Sequence, residues 1–233
     1  MTKISIIIPT LNEAENLQNL LNHLLKNSSS KNIAEIIIVD GGSVDGTQNS
    51  ALNFNKTILL NSKKGRAIQM NFGAKHATGT ILYFLHADSF PPKNFDKLII
   101  SEVKKNNNAG CFIMKFNSNH WWLKLAGQLT RLPWKSCRGG DQSQFITKSL
   151  FYKIGGFNEA FKIYEDNDLI SKLYAINQFI VIPKWLTTSA RHYNTNGVWR
   201  LQFHYWAIHL KKWLGASPEN LNQYYLKHVS VKK

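Results

Sequence analysis

Acidic residues are scarce in this chain. Its 233 residues include 14 Asp and Glu against 29 Lys and Arg, a formal net charge of +15. The shortage is steepest toward the carboxyl end, where residues 169–233 hold nine Lys or Arg and a single acid, Glu219. Such an excess predicts an anionic partner, whether a phosphorylated substrate, a phospholipid surface or nucleic acid, or else a solvated basic surface kept for solubility. Cysteine is nearly missing. Cys111 and Cys137 have neither metal-ligand nor redox spacing, and both read as reduced thiols. Long apolar runs are missing too. No segment approaches the ~18 apolar residues that would mark a membrane-spanning helix. The first apolar run, Ile4 to Ile8, is too short for the core of a signal peptide and reads as a strand. The expectation is a cytoplasmic chain of one domain, or one domain with an appendage.

What is present is an alternation of strands and helices. Ile4–Pro9 and Ala34–Val39 read as buried strands. Between them, Leu17, Leu20, Leu21, Leu24 and Leu25 recur at helical spacing over Glu13–Lys26. A short helix is expected from Ser43, then a strand over Thr57–Leu60, a helix over Lys64–His76 and a strand over Ile81–Leu85. This interval implies a parallel sheet with helices on both faces. Further on, the pattern predicts helices over Pro91–Lys105, Trp121–Leu132, Lys148–Ile154 and Glu165–Ile176. It predicts strands over Gly110–Phe116, Gln142–Thr147 and Phe179–Ile182. Two helices are expected after Gly197, parted where Ser217 caps and Pro218 takes the first helical position.

Three strand ends deliver polar groups. The first ends in Pro9, Thr10, Asn12 and Glu13; the second in Asp40, Gly41, Gly42, Ser43 and Asp45; the fourth in His86, Ala87 and Asp88. A parallel sheet brings all three to one edge, where ligands sit in open α/β folds. Taken singly, Asn12 and Ser43 also suit helix caps and Asp40 a turn. The segment "DGGSVDG" lacks the dinucleotide fingerprint, and its leading acid suits hydrogen bonding to a base or ribose. Lys63, Lys64, Gly65 and Arg66 open the next helix, where cations beside free backbone N–H groups suit a diphosphate, or form an exposed basic face.

The segments "SIIIPTLNEAENL", "IIIVDGGSVDGT", "GRAIQMNFGAKHATGTILYFLHADS", "GGDQSQFITKSLFYKIGGFNE" and "YEDNDLISKL" resemble, in this order, the family 2 glycosyltransferases with the GT-A fold. The "LHADS" and "GGDQ" forms are similar to a bacterial subgroup of that family. The resemblance implies a Rossmann-like, mostly parallel sheet with helices on both faces, followed by a C-terminal helical extension. Its domain reading is a catalytic unit over 1–190, with a nucleotide-binding half at 1–89 and an acceptor half at 90–190, and the extension at 191–233. It implies non-processive, metal-assisted transfer of a sugar from a UDP- or GDP-sugar to an acceptor hydroxyl, with inversion at the anomeric carbon. In the family's Asp-X-Asp element the first Asp is here His86, and Asp88 keeps the position that meets the metal. Mn²⁺ or Mg²⁺ is the implied cofactor, with Asp88 and His86 as its candidate protein ligands; His86 alternatively contacts ribose or phosphate.

By the same resemblance, Thr10, Glu13 and Asp40 line the nucleotide pocket, and Arg66 and Asn71 face the donor. Gly140 and Asp141 form the acceptor-side floor. Asp166 is the candidate catalytic base beside Glu165, although an acidic helix start also suits the helix dipole. Arg191, with His192 and Tyr193, falls where phosphate contacts lie. The Gln-X-X-Arg-Trp element of processive synthases is absent. Two other functions remain in view: a sugar nucleotidyltransferase, and a basic nucleic-acid-binding module. The second accounts for the charge but not for three carboxylate-bearing strand ends, so no nucleic-acid partner is expected. Trp199, Phe203, Trp206, Leu210 and Trp213 share one helical face among basic residues. That face either packs internally or meets an anionic membrane surface, which would suit a lipid-linked acceptor and a peripheral location at the membrane.

Overall fold

In the computed structural model, residues 2–230 are described apart from Asn53 and Asn55. Eight strands form one sheet in the order β3-β2-β1-β4-β7-β6-β8-β5. Its first half is parallel. β1 (Ile4–Thr10) is followed outward on one side by β2 (Ile33–Asp40) and β3 (Thr57–Asn61), and the chain then returns to place β4 (Ile81–Phe84) on the other side of β1. β1 is buried at all seven positions, which is why it reads as an unbroken apolar run rather than an alternating one. Ile4, Ile6 and Ile8 face α1 (Ala14–Asn27) through Leu17, Leu20, Leu21 and Leu24. Ile7, Ile37 and Val39 face α3 (Arg66–His76) through Ala67, Met70 and Ala74. The approach of α3 is close: a Cβ on Gly73 would lie 2.6 Å from a methyl of Ile7.

The second half departs from simple alternation. β7 (Gln144–Thr147) lies antiparallel between β4 and β6 (Ala109–Phe116), and β8 (Ile180–Thr188) runs parallel to β6. The last strand, expected at Phe179–Ile182, thus extends six residues further, past Pro183. Pro183 offers no N–H to the ladder, and the register slips there: Phe112 pairs with Ile182, but Ile113 pairs with Trp185. β5 (Ser89–Phe90) closes the far edge against β8.

Several boundaries differ from the expected ones. α2 (Thr47–Leu52) starts four residues after Ser43, because Ser43 and Asp45 spend their side chains on the loop. α4 (Phe95–Lys104) follows Asn94 in the left-handed conformation, so the two prolines precede the helix instead of opening it. α5 spans Trp121–Leu129, α6 Lys148–Lys153 and α7 Glu165–Ala175. After β8 come α8 (Arg191–Asn196), which no periodicity announced, α9 (Val198–Trp213) and α10 (Pro218–His228). Ser217 caps α10 and Pro218 opens it, as the sequence predicts. These helices share a separate apolar cluster, Leu201, Ile208, Leu221 and Val229, which takes in Leu123 of α5 and Phe161. Among the described residues, no helix is long and apolar enough to cross a membrane.

Candidate active site

The ends of β1 and β2 are level: Thr10 pairs with Asp40, and Asp40 with Asn61. Asp40 is buried and accepts hydrogen bonds from the backbone N–H groups of Gly42 (3.0 Å) and Ser43 (2.9 Å), from Gln48 (3.0 Å) and from the Ser43 hydroxyl. Burial alone would push its carboxyl up; the bonds from Ser43, Gln48 and Gly42 outweigh that and hold it below the ordinary carboxylate range. Asn12 reaches across to this loop, donating its N–H to Ser43 (2.8 Å) and accepting from Val44 N–H (2.9 Å). Its positive φ of 56° is one that Asn tolerates. Gln69 of α3 ties the whole edge together. Its buried amide donates to the carbonyls of Thr10 (2.9 Å) and Val39 (2.7 Å) and accepts from Gly65 N–H (3.3 Å).

A second group of charges stands where β4, β7 and the start of α7 meet. Arg66 Nε lies 2.7 Å from Oε1 of Glu165, which is fully buried. The approach is off the N–H direction, so the pair is held by charge rather than by an aligned hydrogen bond. Burial raises Glu165, and Arg66 opposes that rise. Asp166 sits beside it, with its carboxylate packed over Gly140. A Cβ at Gly140 would stand 2.0 Å from Asp166 Oδ2, so only glycine admits the carboxylate there. Burial lifts Asp166 to about 6, with Arg66 pulling down and Asp141 pushing up. His86 lies between two carboxylates, its Nδ1 3.7 Å from Asp141 and its Nε2 3.9 Å from Asp166. Burial, and then Arg66, lower its imidazole, against Asp141 and Asp88.

Asp88 is raised, first by burial and then by Asp141 and Glu13, with His86 and Arg191 opposing. Arg191, the first residue of α8, makes a two-point bond to Glu13 (2.7 and 3.2 Å) and comes within 3.7 Å of Asp88. One guanidinium therefore joins the end of β1, the end of β4 and the chain leaving β8. These groups border a cavity of about 580 Å³, with Pro9, Thr10, Glu13, Lys64, Gly65 and Arg66 on one side and His86, Ala87, Asp88, Gly140, Asp141, Asp166 and Arg191 on the other.

A five-motif chain on this sheet has a counterpart among known families. The profile of "Glycosyl transferase family 2" matches residues 5–165. The chain belongs to glycosyl transferase family 2. Two curated proteins show the likeness in sequence. One is named glycosyltransferase AglE, from Haloferax volcanii: 38% identical over 106 residues, 43% of this chain and 35% of that protein. The other is a Methanococcus voltae protein named dolichyl N-acetyl-alpha-D-glucosaminyl phosphate 3-beta-D-2,3-diacetamido-2,3-dideoxy-beta-D-glucuronosyltransferase: 26% identical over 166 residues, 65% of this chain and 50% of that protein. The crystal structure of S. aureus TarS superposes with a TM-score of 0.67 at 22% identity, over 86% of this chain and 39% of TarS. That likeness establishes the GT-A fold. The chain spans about a third to a half of the length of these relatives.

Within this family 2 fold, the structure brings most of the predicted site residues to one cleft and sets others behind it. Asp40, Gly41, Gly42 and Asn12 do not line the cavity; they shape the loop beneath it. Glu165 lies under the floor, paired with Arg66. Asn71 is turned away: it donates to Phe157 O and Glu159 and accepts from Phe157 N–H, holding the loop before α7 against α3. Among the described residues, no three His, Cys, Asp or Glu side chains are grouped as metal ligands.

The sequence reading missed two sets of residues. Gln69 is a lone polar residue on the buried face of α3, a detectable signal that was not weighed. The aromatic wall of the cavity comprises Phe116, Tyr164, Tyr193, Tyr205 and Tyr225. Tyr164 opens the "YEDNDLISKL" segment and Tyr193 follows Arg191, but their place in one wall with Phe116, Tyr205 and Tyr225 depends on helices that fold back from distant parts of the chain, and no motif marks Phe116 or Tyr205. Burial raises the phenols of Tyr164, Tyr193, Tyr205 and Tyr225, so all four stay neutral hydrogen-bonding groups.

Proposed function

We propose that this chain transfers a sugar from a nucleotide-sugar to an acceptor hydroxyl, without a covalent intermediate and with inversion, and that Asp166 is the general base. The observation that carries this reading is the Asp166 carboxyl: buried, raised to about 6, and held at the cleft surface by the glycine that makes room for it. A base poised near neutral pH is what removal of a hydroxyl proton requires. Its deprotonated form is available at pH 7, and Arg66 keeps the adjoining Glu165 charge in balance. In this reading His86 stands between Asp141 and Asp166, 3.7 and 3.9 Å from them, and keeps the two carboxylates apart.

The donor lies along the β1, β2 and β4 ends. Thr10 and Asp40 shape the base and ribose pocket, while Lys64, Arg66 and Arg191 supply cations for the diphosphate. GT-A folds commonly hold a divalent metal with the donor. The residues here fit one: Asp88 is a carboxylate at the cleft whose surroundings, Asp141 and Glu13, add negative potential that His86 and Arg191 oppose. Asp88 would hold Mn²⁺ or Mg²⁺, with phosphate oxygens and water completing the shell, as such ions allow. When bound, the metal neutralises charge gathering on the departing diphosphate. The tyrosine wall faces the acceptor. A sugar on a lipid phosphate, the acceptor class in the name of the Methanococcus relative, is the class we favour.

A panel of UDP- and GDP-sugars, screened by thermal shift with and without Mn²⁺, tests the reading. A Mn²⁺-dependent rise in melting temperature with one donor, lost in Asp88→Asn and kept in Asp166→Asn, supports it. Absence of a shift with every donor contradicts it.

A further inference from the structure

We propose that the face formed by α5 and α9 docks on an anionic lipid bilayer. On α9, Trp199, Phe203, Trp206, Leu210 and Trp213 recur at three or four residues, and all are 50–81% exposed. α5 continues the surface with Trp121, Leu125 and Leu129 at intervals of four, each exposed. The first turn of α5 packs on α9. Trp121 and Trp199 lie tilted at 5.6 Å, Trp122 meets Trp206 at 5.7 Å, and Trp122 Nε1 donates to Gln202 (3.0 Å). Eight large apolar side chains held in water on one contiguous surface mark an interaction site rather than scattered exposure.

Charge selects the occupant. Neither helix contains an acid. They carry Lys124, Arg200, Lys211 and Lys212, and Arg131 and Lys135 follow α5. Tryptophan rings flanked by Lys and Arg match the headgroup region of an anionic bilayer, where rings sit between acyl chains and headgroups and cations meet phosphate. A second copy of this chain would bring two acid-free basic faces together, in molecules that each carry +15.

The face also adjoins the cleft. Tyr205 and Ile208 of the same α9 line the cavity. At ~100° per residue Tyr205 lies about a third of a turn and Ile208 about half a turn from the exposed stripe. Docking therefore places the cleft behind α9, with Tyr205 on the flank along which a lipid-anchored hydroxyl would reach it. This last consequence rests on the proposed glycosyl transfer; the docking does not.

Sedimentation of the full chain with vesicles tests it. The protein is expected to sediment with phosphatidylglycerol-containing vesicles at low salt, to be released at about 1 M salt, where the screening length falls to ~3 Å, and to ignore pure phosphatidylcholine. The triple variant Phe203→Ser, Leu210→Ser, Trp213→Ser removes only exposed side chains. It is expected to melt as the parent does and to partition at least about tenfold less; Lys124→Glu with Lys211→Glu should also weaken partitioning at low salt. A parent protein left in the supernatant with anionic vesicles, or a triple variant that partitions like the parent, overturns the proposal. So does a concentration-dependent dimer abolished by the triple variant, which would name a second copy as the occupant. Vesicle binding without any nucleotide-sugar binding would refute the proposed function and leave the docking standing.

Discussion

Gly140 and Asp166 decide the chemistry at the smallest scale. The carboxylate can occupy its place only because residue 140 has no Cβ, so Gly140→Ala is expected to displace it. Transfer should fall while donor binding, made on the opposite edge, persists; steady-state kinetics beside calorimetry separate the two. The pH dependence follows from the raised pKa. A base works deprotonated, so turnover should climb as pH rises through about 6 and level off above it. A profile flat between pH 5 and 7 would remove Asp166 from that role. Arg66 and Glu165 carry a different burden. Glu165 is fully buried and has Arg66 as its close counter-charge. Arg66→Ala leaves that charge uncompensated and is expected to lower stability in denaturant unfolding, by less than the ~3 kcal/mol of a fully buried pair because Arg66 itself is 43% exposed, whereas Glu165→Gln with Arg66 present should cost less still.

Elements obey the same logic over longer spans. α3 can lie close to β1 and β2 because Gly73 faces Ile7 and Val39, 2.6 and 3.0 Å from where a Cβ would stand. Gly73→Ala is therefore expected to destabilise by roughly 1–3 kcal/mol, the range for an overpacked core, read as a lower denaturation midpoint. The first half of the sheet was legible because β1, β2 and β4 are buried on both faces and read as apolar runs, with helical spacing between them. The second half was less so. Antiparallel β7 and two-residue β5 depend on partners far along the chain, and β8 hides its length behind Pro183, where a bulge absorbs the missing donor. The site divides in the same way. Residues at strand ends, such as Thr10, His86 and Asp88, follow from topology. Gln69 acts through backbone carbonyls two strands away, and Tyr205 and Tyr225 reach the cleft only once α9 and α10 have folded back. A polar residue on the buried face of α3 is the one mark Gln69 leaves in the short-range pattern, and the two tyrosines leave none.

Across the whole molecule, Arg191 is the point where the C-terminal helices engage the nucleotide edge, bonding Glu13 and approaching Asp88. Its side chain is half exposed, so the pair itself contributes little, under about 1 kcal/mol. Arg191→Ala should leave unfolding stability nearly unchanged yet weaken nucleoside diphosphate binding about tenfold, the scale of one charge-assisted hydrogen bond. Thr10, His86, Asp88 and Asp166 border one cleft; the central claim of the proposed function is that Asp166 draws the proton from the acceptor there. The most direct measurement is the rate at which Asp166→Asn turns over the nucleotide-sugar that best stabilises the parent, with water as acceptor, alongside its dissociation constant for that donor. The account predicts a rate lower by about 10²-fold with the dissociation constant within about twofold of the parent's. An unchanged rate, or a rate and an affinity that fall together, would contradict it.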